Sequence, residues 1–335
     1  MRYPILLTSD LHLVERGADY RWALSDKLAA VCLEHRVRTL CILGDLTDAK
    51  DFHSNAFTNR IADWLVDLYQ RSGVSALYIL VGNHDYYQQG FPNFKFMRHV
   101  KGFHYVDVPT DVSGMSEEEA TVFMLPYAKH PAAEWHGLDF TQYQFVFMHQ
   151  TVTGAIASNG QRMDGESLPD LASAGKVYSG DIHVPQVIGP VEYVGSPYQV
   201  HFGDNFEPRV VLMKRHGAQS ISFKGVFPRR RMITVASLAE LKNYELKAGD
   251  YAKVRLKLPR AEHHEWQRRK AAVQELLSRV GVHCEGIELV SGVARKSLHD
   301  APTQSHKMTP AQRVLRYVER DELGGDVLDA GLELL

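Results

Sequence analysis

The chain has 335 residues, of which 44% are hydrophobic and 23% are charged, with a formal net charge of −2. These values are ordinary for a globular protein with a sizeable core, and the overall charge does not by itself indicate a nucleic-acid partner. The cysteines Cys32, Cys41 and Cys284 have no C-x-x-C spacing, which argues against a disulfide framework and a cysteine zinc site. The first apolar run is too short for a signal peptide, and no stretch approaches about 20 apolar residues. A cytoplasmic protein without a membrane span is therefore expected.

Short apolar runs of strand length recur through the first two thirds of the chain, and each ends near Gly, Asp, Asn or Pro. The predicted strands are residues 5–8, 40–43, 77–81, 122–125, 145–148, 176–179, 191–194, 210–214 and 220–224. Helical patterns over 22–35 and 57–70 separate the first three strands. Alternating strands and helices, followed by successive strands, predict an α/β fold of layered sheets with flanking helices.

The composition changes near residue 225, where a basic segment begins. Residues 224–270 contain 13 Lys or Arg against 5 Asp or Glu, a net charge of +8. The order strand (232–235), helix (from 237), strand (251–258) and helix (261–280) predicts a small α/β domain over 226–294, after a first domain over 1–225. Residues 295–335 are predicted as a linker and a helical tail, in which Thr309 caps a helix that Pro310 begins.

Acidic, amide and imidazole side chains follow five of the predicted strands. They are Asp10 and His12 after the first strand, Asp45 after the second, Asn83, His84 and Asp85 after the third, His149 after 145–148, and Asp181 and His183 after 176–179. Loops at the carboxyl ends of strands form the binding crevice of α/β folds, so these side chains are expected to meet. Each motif alone is weak, because Asp is common in turns. The ordered set of carboxylates and imidazoles predicts a site for two divalent metals such as Mn²⁺, Fe²⁺ or Zn²⁺.

The order of these motifs, D-x-H, G-D, G-N-H-D, H and G-D-x-H, resembles the calcineurin-like metallophosphoesterase superfamily over residues 1–225. The resemblance implies a layered β-sandwich core flanked by helices. The implied metal ligands are Asp10, His12 and His183 for the first ion, Asn83, His149 and Asp181 for the second, and Asp45 as the bridge between them. His84 is implied to contact the phosphate rather than a metal, with Asp85 orienting its imidazole.

One position departs from the superfamily pattern, which has a histidine where this chain has Asp181. The added negative charge should favour Mn²⁺ or Mg²⁺ over softer metals. Mn²⁺ is expected, with Mg²⁺ as the alternative. The competing interpretation is a weakened second site with low activity. Two such metals would clamp a phosphoryl oxygen while His84 stabilises the developing charge or protonates the leaving oxygen.

The segment after the last candidate ligand narrows the resemblance. Residues 193–199 (YVGSPYQ), 202–204 (FGD) and 184–186 (VPQ) resemble the SbcD-type DNA double-strand-break nucleases, which include compact phage recombination endonuclease subunits. The resemblance implies a manganese-dependent exo- or endodeoxyribonuclease of DNA recombination and repair, and a homodimer. It also implies a location in the cytoplasm, that of the host if the chain is phage-encoded. Residues 303–335 would bind an SbcC-like coiled-coil ATPase or, alternatively, dock onto the chain's own catalytic domain.

Two other functions stay open from the sequence. A phosphatase or nucleotide phosphodiesterase would use the same metals without needing the basic segment or the tail. A non-catalytic interaction protein that kept the fold would be expected to lose several ligands, whereas here one has changed type.

The basic segment is the predicted DNA-contacting surface. Its candidate side chains are Arg229, Arg230, Arg231, Lys253, Arg255 and Lys257. The last three alternate along residues 251–258 and would share one face of a strand, opposite Val254 and Leu256. Such a face can contact phosphates without reading the base sequence. The alternative is the solvated surface of an ordinary domain.

Overall fold

The computed structural model describes residues 1–50, 52–88, 90–113, 119–165, 171 and 173–291. In chain order the strands are β1 (Ile5–Thr8), β2 (Thr39–Leu43), β3 (Ala76–Leu80), β4 (Tyr86–Gln88), β5 (Phe91–Pro92), β6 (Phe103–Val106), β7 (Thr110–Asp111), β8 (Val122–Leu125), β9 (Phe145–His149), β10 (Lys176–Gly180), β11 (Gln186–Ile188), β12 (Val191–Tyr193), β13 (Arg209–Lys214), β14 (Gly217–Ser222), β15 (Arg230–Val235), β16 (Tyr251–Leu258) and β17 (His283–Ser291). The α-helices are α1 (Leu24–Glu34), α2 (Asn55–Ser72), α3 (Pro131–Glu134), α4 (Leu238–Lys242) and α5 (Trp266–Val280), with short 3₁₀ helices at Asp19–Ala23, Lys95–His99 and Arg260–Glu265.

Two six-stranded sheets form a sandwich. The first has the order β14-β13-β1-β2-β3-β6, in which β1, β2, β3 and β6 are parallel. The second has the order β11-β12-β10-β9-β8-β7, in which β8, β9, β10 and β12 are parallel. Because the parallel strands of each sheet end at the same edge, the loops that follow them are brought together.

Both faces of the first sheet are buried, which explains its continuous apolar runs. Leu7 and Cys41 pack between the two sheets against Phe147 and Tyr178 of the second. Side chains of the opposite face, such as Leu40, pack under α1 and α2. Helix α2 begins where the Ser54 hydroxyl accepts from the Phe57 amide at 3.0 Å, and it ends at Gly73, whose φ is 68°. The predicted α/β sandwich with flanking helices is confirmed.

The third sheet has the order β15-β16-β17, all parallel, and a hydrophobic core of its own. Val254 and Leu256 of β16 are buried with Val273 and Leu277 of α5. The division of the chain at residue 225 stays a prediction, and the tail over 295–335 lies outside the described residues. Among the described helices, each is too short or too polar to cross a bilayer.

Some strands were not predicted, and one helix begins later than predicted, for local reasons. Strand β6 was not predicted, since its four residues include the polar His104. Strand β17 was not predicted either, because Glu285, Gly286 and Glu288 interrupt its apolar pattern. The helix predicted over 261–280 begins as a 3₁₀ turn and becomes α-helical only at Trp266.

Candidate metal centre

The nine candidate side chains meet at one edge of the sandwich. Strands β1, β2 and β3 deliver them from the first sheet, and β9 and β10 deliver them from the second. Three groups of side chains each have their ligand atoms within 4.8 Å of one another. They are Asp10, His12 and His183; His12, Asp45 and His84; and Asp10, Asp45 and His149. Asp45 and His12 each belong to two groups, so the clusters are continuous. This is the convergence that the motifs predicted, while the role of each side chain stays a prediction.

Left-handed backbone turns the chain sharply at this edge. Asp10 (φ 54°), His12 (φ 43°), Asp45 (φ 53°) and Asp181 (φ 79°) all have positive φ angles. The Asp10 amide donates to the Gly44 carbonyl at 3.1 Å, and the His12 amide donates to the Asp45 carbonyl at 3.0 Å. Non-glycine residues rarely adopt this conformation and cluster at functional sites when they do. The surrounding fold therefore holds the ligand-bearing backbone in place.

The first half of the cluster joins β1, β2 and β10. The Nε2 atoms of His12 and His183 lie 3.0 Å apart, and His12 Nε2 lies 3.5 Å from Asp45 Oδ2. Asp10 contributes a carboxylate to the same group, and its Oδ1 accepts from the Asp181 amide at 3.0 Å. Two imidazole nitrogens and two carboxylates thus face a common point, as a divalent cation requires.

The second half centres on His149, which is fully buried. Its Nδ1 donates to the Leu43 carbonyl at 2.7 Å, which fixes the ring and turns Nε2 toward the carboxylates. His149 Nε2 lies 3.3 Å from Asp45 Oδ1 and 3.7 Å from Asp181 Oδ1. Asp45 therefore directs one oxygen to each half of the cluster, which is the position expected for a bridging carboxylate.

Unpartnered buried atoms show that the cluster fits metal ions. Within the described part of the chain, Asp10 Oδ2, Asn83 Oδ1 and His149 Nε2 are buried without a hydrogen-bond partner. A buried polar atom without a partner costs about 1–3 kcal/mol. Two of these atoms are acceptors and the third is a ring nitrogen that can offer a lone pair, so bound divalent cations would satisfy all three. The donor set of carboxylate, amide oxygen and imidazole suits Mn²⁺ and related ions.

Burial and neighbouring charges shift the pKa values of the side chains in the cluster. Burial raises the pKa of Asp10 to about 6 and lowers the pKa of His12 to about 4. Burial opposes the charging of His149, but Asp45 and then Asp181 hold its pKa well above the ordinary value. Burial likewise opposes ionisation of Asp45, yet the neighbouring His149 and His12 lower its pKa. Asp45 and Asp181 therefore stabilise a positive charge beside His149, whereas burial disfavours charge on Asp10 and His12.

Two glycines allow the close packing around His149. A Cβ atom at Gly180 would overlap the Leu43 carbonyl and lie 2.6 Å from His149 Nδ1. A Cβ atom at Gly82 would overlap the Asp45 carboxylate and lie 2.9 Å from His149 Cε1. Real Cβ atoms do not approach other atoms so closely, so both positions require glycine.

The predicted partnership of Asp85 with His84 is wrong. His84 Nδ1 instead faces the carbonyl oxygen of Asp48 at 2.6 Å, and the His84 backbone amide donates to Asp45 Oδ1 at 2.8 Å. The buried Asp85 carboxylate accepts from three backbone amides, those of Asp45 at 2.8 Å, Leu46 at 2.9 Å and Gly82 at 2.8 Å. Asp85 thus joins the loops after β2 and β3 and positions the ligands rather than the imidazole.

We expect Asp85→Ala to lower the free energy of unfolding by about 3–5 kcal/mol, because three buried amides lose their acceptor. Urea denaturation with EDTA present measures the loss without a contribution from metal binding. Asp85→Asn keeps one acceptor oxygen and should lose less. A loss below about 1 kcal/mol for the alanine variant would mean that the loops hold without this carboxylate.

Asp181 is held by two side chains from neighbouring loops. Its Oδ2 accepts a hydrogen bond from the Thr151 hydroxyl, and its Oδ1 accepts from Asn83 Nδ2 at 3.3 Å. The second contact turns the Asn83 carbonyl oxygen, one of the unpartnered atoms, away from Asp181. The aspartate therefore orients Asn83 whether or not it binds a metal itself.

We expect Asp181→His to keep hydrolysis within about tenfold, or about 1.4 kcal/mol of barrier, and to shift metal preference toward softer ions such as Zn²⁺. Histidine tolerates the left-handed backbone at this position, but the bond from Thr151 would be lost. Activity titrated with Mn²⁺, Mg²⁺ and Zn²⁺ tests this expectation. Complete loss with every metal would show that the pocket is built around the Thr151–Asp181 pair.

Three further side chains support the cluster and were not predicted. Asp48 Oδ1 lies 3.3 Å from His12 Nδ1. Asp204 Oδ2 lies 3.8 Å from His183 Nδ1 and accepts from the amides of Val200 and His201. Thr151 contacts Asp181, as described. Asp48 follows the G-D motif by three residues and Asp204 ends the F-G-D stretch, so both stood beside motifs already identified.

The basic segment is placed close to this edge through Phe202. The Arg230 guanidinium lies 4.2 Å from the centre of the Phe202 ring, and Lys253 Nζ lies 4.9 Å from it. Phe202 follows His201, whose ring centre is 5.0 Å from that of His183. The third sheet is therefore connected to the candidate metal centre by a short run of rings and cations.

The other predicted DNA contacts have different surroundings. Arg229 Nε donates to Asp250 at 2.9 Å, and Arg255 Nε donates to Glu288 at 3.1 Å, so carboxylates neutralise both charges. Lys257 is exposed, and Arg231 lines a cavity of about 450 Å³ with Phe223 and Phe227. The alternation along β16 is as predicted, because Val254 and Leu256 are buried on the opposite face. The assignment of these six cations to DNA stays a prediction.

The comparison with known protein families agrees with the geometry. The model of the calcineurin-like phosphoesterase family matches residues 3–185. The crystal structure of Pseudomonas putida nuclease MPE aligns with 16% sequence identity over 65% of this chain and 72% of that chain, at a TM-score of 0.30. The search of curated protein sequences gave no match.

Proposed function

Because the chain belongs to the calcineurin-like phosphoesterase family, which hydrolyses phosphoesters with divalent metals, we propose that it is a two-metal DNA nuclease. The proposal places Asp10, His12 and His183 at the first ion. Asn83 and His149 serve the second ion, together with Asp181. Asp45 bridges the pair, and Mn²⁺ is the preferred metal.

The observation that carries the metal assignment is the set of buried atoms without partners. Asp10 Oδ2, Asn83 Oδ1 and His149 Nε2 come from three different strands, and each is left unsatisfied within the described residues. A fold that binds no cation would have little reason to retain this cost at three places. Two bound divalent ions supply Lewis acidity and lower the pKa of water there.

His84 is the residue proposed to act on the substrate. The Asp48 carbonyl accepts from Nδ1, which fixes the ring and leaves Nε2 available. With both nitrogens protonated, Nε2 can stabilise the phosphoryl charge or donate its proton to the leaving oxygen as the phosphorus–oxygen bond breaks. The backbone amide of His84 donates to Asp45, so the same turn positions a proposed ligand and the proposed acid.

Three features support DNA as the substrate. Lys253 and the exposed Lys257 lie on one face of β16, and Arg230 and Lys253 reach toward Phe202 beside the candidate metal centre. The segment over 193–204 resembles that of the SbcD-type nucleases. Cations on a strand face contact phosphates of any sequence, as a nuclease without sequence preference requires.

The same resemblance supports a wider role that we propose with it. The chain would act as a homodimer in DNA recombination and double-strand-break repair, with an SbcC-like coiled-coil ATPase bound through residues 303–335. That segment lies outside the described residues, so the proposal depends on its sequence.

The decisive experiment incubates the purified protein with linear double-stranded DNA, with bis-nitrophenyl phosphate and with a nitrophenyl phosphomonoester, each with Mn²⁺ or Mg²⁺. We expect cleavage of DNA and of the diester, faster with Mn²⁺, which tolerates imidazole ligands and irregular geometry better than Mg²⁺ does. Hydrolysis of the monoester alone would identify a phosphatase. No hydrolysis of any substrate with either metal, also after addition of the ATPase, would contradict the proposal.

A further inference from the structure

Aromatic side chains are exposed unevenly on this molecule. Among the described residues, five aromatic side chains belong to the exposed large hydrophobics, and four of them lie in two segments, one at residue 52 and one over 87–96. They are Phe52 (77% exposed), Tyr87 (62%), Phe91 (62%) and Phe96 (47%), which we name the aromatic rim. The fifth, Tyr244, lies after α4, beside the third sheet. Rings of this size are usually buried, so a concentration of exposed ones marks a binding surface.

The aromatic rim belongs to two loop segments that follow the candidate site residues in the chain. Tyr87 is three residues after His84, and Phe52 is four residues after Asp48, whose carbonyl contacts the His84 ring at 2.6 Å. The two segments are tied to each other and to the site. The Asn93 side chain donates to the Lys50 carbonyl at 3.4 Å, and its backbone amide donates to the Asp85 carbonyl at 2.7 Å.

The exposed rings rest on an ordered base. His53 lies beside Phe94, with ring centres 5.2 Å apart, and Phe94 is buried in the main core while contacting Phe96. His53 Nε2 is 3.0 Å from the Thr47 hydroxyl, two residues after Asp45. The Tyr105 hydroxyl donates to the Asn93 carbonyl below the β4–β5 hairpin. The core therefore fixes the segments while leaving the outer rings open to solvent.

We infer that the aromatic rim binds unpaired nucleobases, so that the preferred substrate is DNA with a single-stranded or frayed segment. This inference rests on the proposed nuclease function and specifies its substrate. Every base offers a flat π face that stacks on an aromatic ring at about 1–3 kcal/mol per base, without sequence preference. In an intact duplex those faces are already stacked on one another. A rim of rings beside the cleavage site therefore selects nucleotides that have left the duplex.

The position of the rim favours a nucleic acid over a second protein chain. The segments that carry Tyr87 and Phe52 are anchored at the candidate site, because Asn93 donates to the Asp85 carbonyl and the Asp48 carbonyl contacts the His84 ring. Under the proposed function, the strand that is being cut must pass these segments. The exposed Lys50, next to the rim, adds a cation for its phosphates.

Binding measured without turnover separates this inference from the proposed function. Fluorescence anisotropy of the protein kept in EDTA, which removes the metals that hydrolysis needs, would use three oligonucleotides: a thymidine 20-mer, an abasic 20-mer and a blunt duplex. We expect the thymidine strand to bind about tenfold more tightly than the abasic strand. Substituting Tyr87, Phe91 and Phe96 together with alanine should bring the two affinities within about threefold. The matched variant Tyr244→Ala should keep the preference.

The single variant Phe91→Ala and the melting temperature of each protein exclude unfolding as the cause, and the single variant should lose part of the preference. An unchanged preference in the triple variant, or equal binding of the thymidine and abasic strands by the unsubstituted protein, would overturn the inference. So would a change from dimer to monomer in sedimentation with unchanged oligonucleotide binding, because the rim would then join two copies of the chain. If the inference holds while the DNA cleavage assay fails, the proposed chemistry is wrong and the binding surface remains.

Discussion

Replacing Asp45 with alanine is expected to remove metal from both halves of the cluster and to lower hydrolysis by about a thousandfold, or about 4 kcal/mol of barrier. The Asp45 carboxylate directs a different oxygen to each half, with Oδ2 at 3.5 Å from His12 Nε2 and Oδ1 at 3.3 Å from His149 Nε2. Without it, each remaining set of ligands loses a charged oxygen. Metal content by mass spectrometry and turnover of bis-nitrophenyl phosphate measure the two effects.

The exposed Asp63 on α2 gives the matched control, since Asp63→Ala removes the same group far from the candidate site and should change neither measurement. Asp45→Asn keeps an oxygen to accept from the His84 amide, and it should separate loss of charge from loss of the turn. Two retained equivalents of metal in the alanine variant would rule out Asp45 as the bridge.

His84→Ala is expected to lower kcat by about 10²–10⁴-fold while the metal content stays at that of the unsubstituted protein. The ring is proposed to contact the substrate, and the backbone amide that reaches Asp45 survives the substitution. Single-turnover hydrolysis with saturating Mn²⁺, together with mass spectrometry, tests both parts. His216→Ala, which alters an exposed imidazole at the β13–β14 turn, is the control.

The contrary outcome has a definite structural interpretation. His84 also lies in a tight group with His12 and Asp45, so its imidazole is near enough to coordinate. If the alanine variant loses a metal ion, His84 is a ligand, and another group must act on the leaving oxygen. His201, beside His183, would then be the next residue to examine.

Local sequence patterns were sufficient to predict several of the strands. Residues 5–8, 122–125 and 251–258 were predicted with the bounds that the structure has, because each combines an apolar strand pattern with a turn residue at its end. The convergence of the candidate ligands was predictable for a related reason, since parallel strands end at one edge. Strand β17 was not predictable, because it forms by pairing with β16 and its own sequence has no clear apolar strand pattern.

The support around the site could not be predicted, because it depends on contacts between distant residues. Asp85 was expected beside His84, its neighbour in the chain, yet its acceptors serve amides near Asp45, 40 positions away. The pairing of Arg255 with Glu288 likewise joins two strands whose register no local pattern specifies. A sequence motif identifies a chemical group, whereas the hydrogen bonds that direct the group are determined by the assembled fold.

The left-handed backbone at Asp10, His12, Asp45 and Asp181 means that two requirements restrict the residue at each position. One is the backbone conformation and the other is the chemistry of the side chain. Glycine and asparagine adopt that conformation most readily, so they are the replacements that a library screened only for protein abundance should enrich. Under the proposed function, a library screened for DNA hydrolysis would discard the same glycines, because they bring no ligand. For each position, the difference between the two enrichment profiles would then show how strongly the backbone conformation restricts the residue and how strongly the side-chain chemistry does.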